Sequence, residues 1–147
     1  MSDPRRLLDG GFDGGLDEGD LVAAATSFKE AGVALLSIST GQTVADQRPV
    51  YGRMWQTPFA DMIRNVVGIP TLAVGNIFEP DHVNTIVGAG RADLCAIARP
   101  HLADSAWTLR AAAGQRYTAQ WWPAPYLAGK AQLEHNLERA ALAVGAV

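Results

Sequence analysis

Apolar residues along this chain fall into short blocks that alternate between helical and strand spacing. From Asp20 the run LVAAATSFKEAG puts Leu21, Ala24, Ala25 and Phe28 on one helical face, with Asp20 as a candidate N-cap and Gly32 as the stop. The next segment, VALLSIS (33–39), is short, apolar and suited to a strand; it predicts one buried on both faces, as parallel strands usually are. The same order then recurs twice. PFADMIRNVVG (58–68) opens with Pro and closes with Gly before IPTLAV, and PDHVNTIVGAG (80–90) does the same before ADLCAIA (92–98). After Arg99 and Pro100, Asp104 is placed to cap an amphipathic helix over SAWTLRAAAG. The pattern predicts α-β-α-β-α-β-α with strands of about five to seven residues. Such alternation with short links implies a parallel sheet joined by right-handed crossovers.

The two ends read differently. Residues 1–19 are rich in Gly and Asp and predict a leader loop. Beyond Gly114, RYTAQWWPAPYLAGK concentrates Trp, Tyr and Pro and predicts an ordered, packed tail. AQLEHNLERAALAV then predicts a helix with Leu133, Leu137 and Ala141 on one stripe. The chain thus divides into a leader (1–19), a core of βα units (20–113) and an aromatic tail with its helix (114–147).

Composition narrows the class. A length of 147 residues suits one domain, and 48% hydrophobic with 18% charged residues supports a packed core. Twelve basic against fifteen acidic residues, a net charge of −3, argue against a nucleic-acid partner. The lone Cys95 forms no internal disulfide, and neither a signal peptide nor an apolar run of the ~18 residues of a membrane span is present. A cytoplasmic globular chain with no membrane partner is expected.

In parallel α/β folds ligands meet the loops that leave the carboxyl ends of strands. Here these are Thr40-Gly41-Gln42, Gly75-Asn76 and Ala98-Arg99. Gly75 lets an oxyanion approach its backbone N–H closely, and Arg99 supplies a permanent fork of donors suited to phosphate. Together they describe a phosphate cup of the kind found after the last two strands of (β/α)₈ barrels. Equally, Gly75 could be only a turn, and Arg99 could only pair with Asp104 or Asp93. Ser37 and Ser39 alternate with Leu36 and Ile38, so both hydroxyls could face a ligand or bond neighbouring backbone. Other motifs carry less. GAGRAD (88–93) mimics a dinucleotide fingerprint but lies between a helix and a strand, the reverse of the required order, so Gly90 reads as a helix stop. Cys95 reads as a core thiol, and His82, His101 and His135 are too scattered for metal ligation. Trp121 and Trp122 read as packing aromatics.

KEAGVALLSISTGQ, QTPFADMIRNVVGIPTLAVGNI and GRADLCAIARPHLADSAW resemble the C-terminal part of the Old Yellow Enzyme family, FMN-dependent NAD(P)H:flavin oxidoreductases built on a (β/α)₈ barrel. PVYGRMWQTPFAD and WWPAPYLAGKAQLEHNLER look closest to the reductase domain of bifunctional salicylyl-CoA 5-hydroxylase and 2-aminobenzoyl-CoA monooxygenase/reductase proteins. The resemblance implies that Gly75, Asn76, Ala98 and Arg99 hold the FMN phosphate through backbone N–H groups and the guanidinium, with Ser39-Thr40-Gly41 under or beside the flavin. It implies NAD(P)H as reductant and a small-molecule substrate with an activated C=C, an aromatic acyl-CoA in the branch named.

Departures bear on what this chain does. The family's substrate-orienting His pair and tyrosine proton donor come from earlier strands, and none of those motifs is present, so no catalytic residue is assigned. Asp9 and Gly10-Gly11 match a family segment, but Arg5 and Arg6 do not reproduce its arginine, and Pro125 departs from the branch pattern. Three strands do not close a barrel. The chain is therefore read as the C-terminal part of a TIM barrel, about three βα units plus a helical tail: a truncated reading frame, or a piece completed by a separate N-terminal portion or by self-association. The alternative is a non-catalytic partial barrel that oligomerises or docks on a partner and at most binds FMN or phosphate.

Overall fold

The first helix of the computed structural model, α1 (Glu18–Glu30), is started by two carboxylates that cap each other. Asp17 is the N-cap: its side chain accepts from the Asp20 N–H at 2.9 Å, while the Asp20 side chain accepts from the Asp17 N–H at 3.1 Å. Asp20 therefore acts from inside the first turn, three residues past the cap, and not as the cap itself. The other end closes as predicted. Gly32 takes φ +87°, its N–H reaches the Lys29 carbonyl, and the Val33 N–H reaches that of Phe28. The inward face differs from expectation: Ala25 is buried and Leu21 and Val22 pack against the core, whereas Ala24 is exposed and Phe28 is 52% exposed. At the rim of that face the exposed Lys29 donates from Nζ to the Val67 carbonyl at 2.6 Å, tying the end of α1 to the segment before Gly68.

The structure describes residues 16–41, 45 and 51–144, so most of the predicted leader and Gln42 lie outside the described residues. Three parallel strands follow in spatial order β1 (Leu36–Ile38), β2 (Thr71–Ala73), β3 (Leu94–Cys95). Ser37 stands opposite Leu72, and Leu72 opposite Leu94. All three strands are shorter than the apolar blocks that predicted them, because the flanking residues run past the ends of the paired ladder. Nor is the sheet buried on both faces. Ile38, Thr71 and Ala73 are buried beneath the helices, while Ser37 is exposed and Leu94 is 51% exposed on the other side. Among the described residues no layer covers that second face.

Two helices pack behind the sheet. Helix α2 (Thr57–Met62) begins with Pro58 in its first turn, widens into a π-helical turn (Ile63–Val67), and stops at Gly68 with φ +71°. Helix α3 (Pro80–Gly88) stops at Gly90, φ +68°, whose N–H reaches Val87 while the Arg91 N–H reaches Ile86. Phe59, Ala60, Ile63, Ile69, Ile77 and Ile86 form the core with Ala25, Ile38, Ala73 and Ala92. The result is an α/β arrangement around a parallel three-stranded sheet, consistent with part of a (β/α)₈ barrel.

The chain divides into two compact units at Ile97/Ala98. The second unit contains a short helix not anticipated from the sequence, α4 (Arg99–Ala103), then α5 (Trp107–Gly114), a 3₁₀ turn (Ala124–Tyr126) and α6 (Leu127–Val144). Asp104 organises the entry to α5 from outside the cap position, which Ala106 occupies. Its carboxylate accepts from the Ala106 N–H at 3.0 Å and pairs with Arg110 at 3.2 Å. Among the described residues no helix is long and apolar enough to cross a membrane.

Candidate functional site

The three strand exits differ in their local geometry. After β1 the backbone continues through Ser39 and Thr40 to Gly41, which turns with φ +74°. Ser37 and Ser39 are both exposed on either side of buried Ile38, and neither hydroxyl bonds backbone among the described residues. After β2 the chain makes a turn whose two residues are both left-handed, Gly75 at φ +102° and Asn76 at φ +54°. An asparagine tolerates this region better than most side chains, and here its Nδ2 is held by the Gly52 carbonyl at 2.9 Å. The Met54 N–H donates to the Asn76 carbonyl at 3.3 Å, and Met54 is itself left-handed, φ +53°. The N–H groups of Gly75 and Asn76 donate to no acceptor among the described residues. A tight turn that offers unengaged N–H groups at the carboxyl end of a parallel strand suits an anionic oxygen.

Behind the turn lies a residue the sequence reading passed over. Gln56 is buried, 5% exposed, and its Nε2 donates to the Thr40 carbonyl at 2.6 Å, linking the β1 exit to the segment before α2. Its Oε1, together with the hydroxyls of Thr40 and Thr57, is buried without a hydrogen-bond partner among the described residues. A Cβ on Gly75 would stand 2.7 Å from that Oε1, closer than real Cβ atoms approach. Gly75 is therefore glycine for two reasons, its φ and the side chain packed against it. The one sequence signal was a glutamine just ahead of a Pro-started helix, where Ser, Thr, Asp or Asn would ordinarily cap.

Ala98 and Arg99 open the second unit. Ala98 is the residue before α4, and its carbonyl accepts from the N–H groups of His101 and Leu102. Arg99 is the first residue of that helix, exposed, and without an ion pair among the described residues. Both carboxylates that offered it a structural explanation are engaged elsewhere: Asp93 with Arg64 at 3.1 Å, Asp104 with Arg110 at 3.2 Å. Asp93 also accepts from the Thr71 N–H at 2.9 Å, and that backbone bond, with Arg64, holds its carboxyl below the usual value against the opposing effect of desolvation. This cluster sits where β2 begins, at the end of the sheet away from the Gly75 turn, and its work is structural.

Of the remaining candidates, Cys95, His82 and His101 have structural surroundings and His135 is exposed, while Trp121, expected to pack, is instead 73% exposed. Cys95 is half-buried, and burial pushes its thiol up from 9.0, so it is no thiolate near neutral pH. His82 is buried, with its Nδ1 3.4 Å from the Phe78 N–H and its ring edge-on to Phe78 at 4.6 Å. His101 touches the Thr108 hydroxyl at 3.2 Å and packs edge-on to Trp107. Among the described residues no group of His, Cys, Asp and Glu is arranged to hold a metal.

The sequence profile of the NADH:flavin oxidoreductase / NADH oxidase family matches residues 9–118. The chain belongs to this family. An NADH oxidase from Thermoanaerobacter brockii is 34% identical over 107 residues, 69% of this chain but 16% of that protein. An NADPH dehydrogenase from Geobacillus thermodenitrificans is 39% identical over 98 residues, 67% of this chain and 28% of its own length. One from Listeria innocua is 35% identical over 116 residues, covering 74% and 34%. The chain thus spans between about a sixth and a third of the relatives it matches. The family's description names a flavin and NADH. The Gly75–Asn76 turn fits a phosphate-bearing flavin in its donors: unengaged N–H groups, and a glycine without a side chain at the point of approach.

Proposed function

We propose that this chain carries the FMN-phosphate site of an FMN-dependent NAD(P)H:flavin oxidoreductase, with Gly75, Asn76, Ala98 and Arg99 as its binding residues. The observation that carries this reading is the left-handed Gly75–Asn76 turn with its unengaged N–H groups. In this reading Gly75 and Asn76 donate backbone N–H groups to phosphate oxygens, Ala98 adds its own N–H, and the Arg99 guanidinium neutralises the charge. FMN, when bound, relays hydride from NAD(P)H to an activated C=C of a small-molecule substrate. The chain's part in that chemistry is to bind and orient. For the full-length protein we propose an aromatic acyl-CoA as substrate, on the resemblance of residues 49–61 and 121–139 to that branch; turnover of such a thioester against a simple enone tests it.

The binding site is tested by titrating the 147-residue chain with FMN while following flavin fluorescence. Saturable binding is expected, and Arg99→Ala should weaken it roughly 10- to 100-fold, the worth of one charge-assisted hydrogen bond. Unchanged affinity in that variant would remove Arg99 from the site. A second reading draws on the sheet. Its edges β1 and β3 each have one unpaired side, and the face bearing Ser37, Leu72 and Leu94 is uncovered among the described residues. We propose that further barrel strands or a second copy of the chain cover it.

A further inference from the structure

We propose that Gln56 is a positioning residue that holds the Gly75–Asn76 turn in its left-handed form. The proposal rests on the reading of that turn as the phosphate site. Gln56 stands at the cap position of α2, yet its side chain makes no capping bond. Its amide instead reaches the β1 exit, where Nε2 donates to the Thr40 carbonyl at 2.6 Å. That bond fixes the carboxamide, and the fixed carboxamide occupies the space where any side chain at position 75 would begin: a Cβ there would lie 2.7 Å from Oε1 and 2.9 Å from both Cδ and Cγ. Two further bonds tie the same segment to the turn, Met54 N–H to the Asn76 carbonyl and Asn76 Nδ2 to the Gly52 carbonyl.

The exits of β1 and β2 are thus braced through one side chain that is 5% exposed. Among the described residues its Oε1 has no donor. A helix cap could be served better by Ser, Thr, Asp or Asn, all shorter than the glutamine side chain that spans from the cap to Thr40. What Gln56 does in this fold is join the β1 exit to the glycine turn, and with the turn fixed before a ligand arrives, its donors need no reorganisation on binding.

The test uses the full chain labelled with ¹⁵N, comparing wild type with Gln56→Glu and Gln56→Ala. Gln56→Glu keeps the shape but sets a carboxylate oxygen against the Thr40 carbonyl. The expected result is displaced amide resonances at Gly75 and Asn76, with those of α1 unmoved, and FMN binding weakened roughly tenfold, the worth of one hydrogen bond. Gly75→Ala should be less disruptive in the Gln56→Ala background than in wild type, because the steric part of its cost is gone. Unmoved Gly75 and Asn76 amides in both Gln56 variants would overturn the brace, as would equal effects of Gly75→Ala in the two backgrounds. Should Gln56→Ala fail to fold, the isosteric Gln56→Glu decides by the same amides. Absence of saturable FMN binding by wild type would instead overturn the phosphate reading of the turn, a result separate from the amide comparison.

Discussion

Asp93 shows how a single side chain can anchor the sheet at the end away from the proposed site. Its carboxylate accepts from the Thr71 N–H at the start of β2 and from Arg64 in the π-helical turn, while Arg64 also reaches the Gly90 carbonyl at 2.8 Å. The carboxyl is held below its ordinary 3.8, so the folded state favours the charged form. Its contribution to stability is complete above that ordinary value and is lost as pH falls from there through the lowered folded-state value. Urea midpoints measured from pH 6 down to pH 2.5 should show an acid-side loss in wild type that is smaller in Asp93→Asn. Equal slopes would remove Asp93 as a source. Much of the chemistry at this scale was legible in the sequence: Gly32 and Gly90 as helix stops, Cys95 as a core thiol, Gly75 at a strand exit. Gln56 and Arg64 were not, because each acts across a sequence gap, on Thr40 and on Asp93, that periodicity within one element does not register.

Glycines at the element scale separate into those that end a helix and those that merely lie in one. Gly90 has φ +68°, and a Cβ there would stand 3.2 Å from Arg64 Nη1, the group bonded to its carbonyl. Gly88, two residues earlier, lies inside α3 with nothing within 4 Å of a Cβ. Gly90→Ala should therefore destabilise by about 1–2 kcal/mol, the cost of a left-handed non-glycine residue. Gly88→Ala should stabilise by roughly 0.5–1 kcal/mol, by reducing the freedom of the unfolded chain. Chemical denaturation of both variants checks the pair, and a shared sign would contradict the assignment of Gly90 as the stop. The order of helices and strands was readable from blocks of apolar residues because each helix carries its own start and stop. Strand length was not. An apolar run such as VALLSIS marks where a strand can form, but the ladder extends only where a neighbour's backbone is in register, and that leaves Leu36–Ile38. The short α4 escaped notice for a related reason: RPHLA offers five residues and no apolar period.

For the molecule as a whole, the open sheet face is the largest departure from what the sequence suggested. Strand patterns rich in apolar residues predicted burial on both sides, and among the described residues of the first unit only the helix side of the sheet is covered. Leu94 is the residue that exposes the difference. At 51% exposure it stands beside Leu72 in register, on a strand whose other face supports the core through Cys95. Covering a fully exposed leucine is worth about 1.5–3 kcal/mol, so a half-exposed one offers a substantial fraction of that to whatever packs against it. If a second copy supplies that cover, wild type should sediment as an oligomer whose proportion rises with concentration. Leu94→Glu should then shift it to monomer without loss of helical circular dichroism, since the substituted side chain lies on the face away from the helices. A monomeric wild type would argue against self-association and direct the search to a chain carrying further barrel strands. In that case Leu94→Glu should block assembly with such a chain while leaving its own fold intact, and assembly that proceeds unimpeded would show that this face is not where the strands meet.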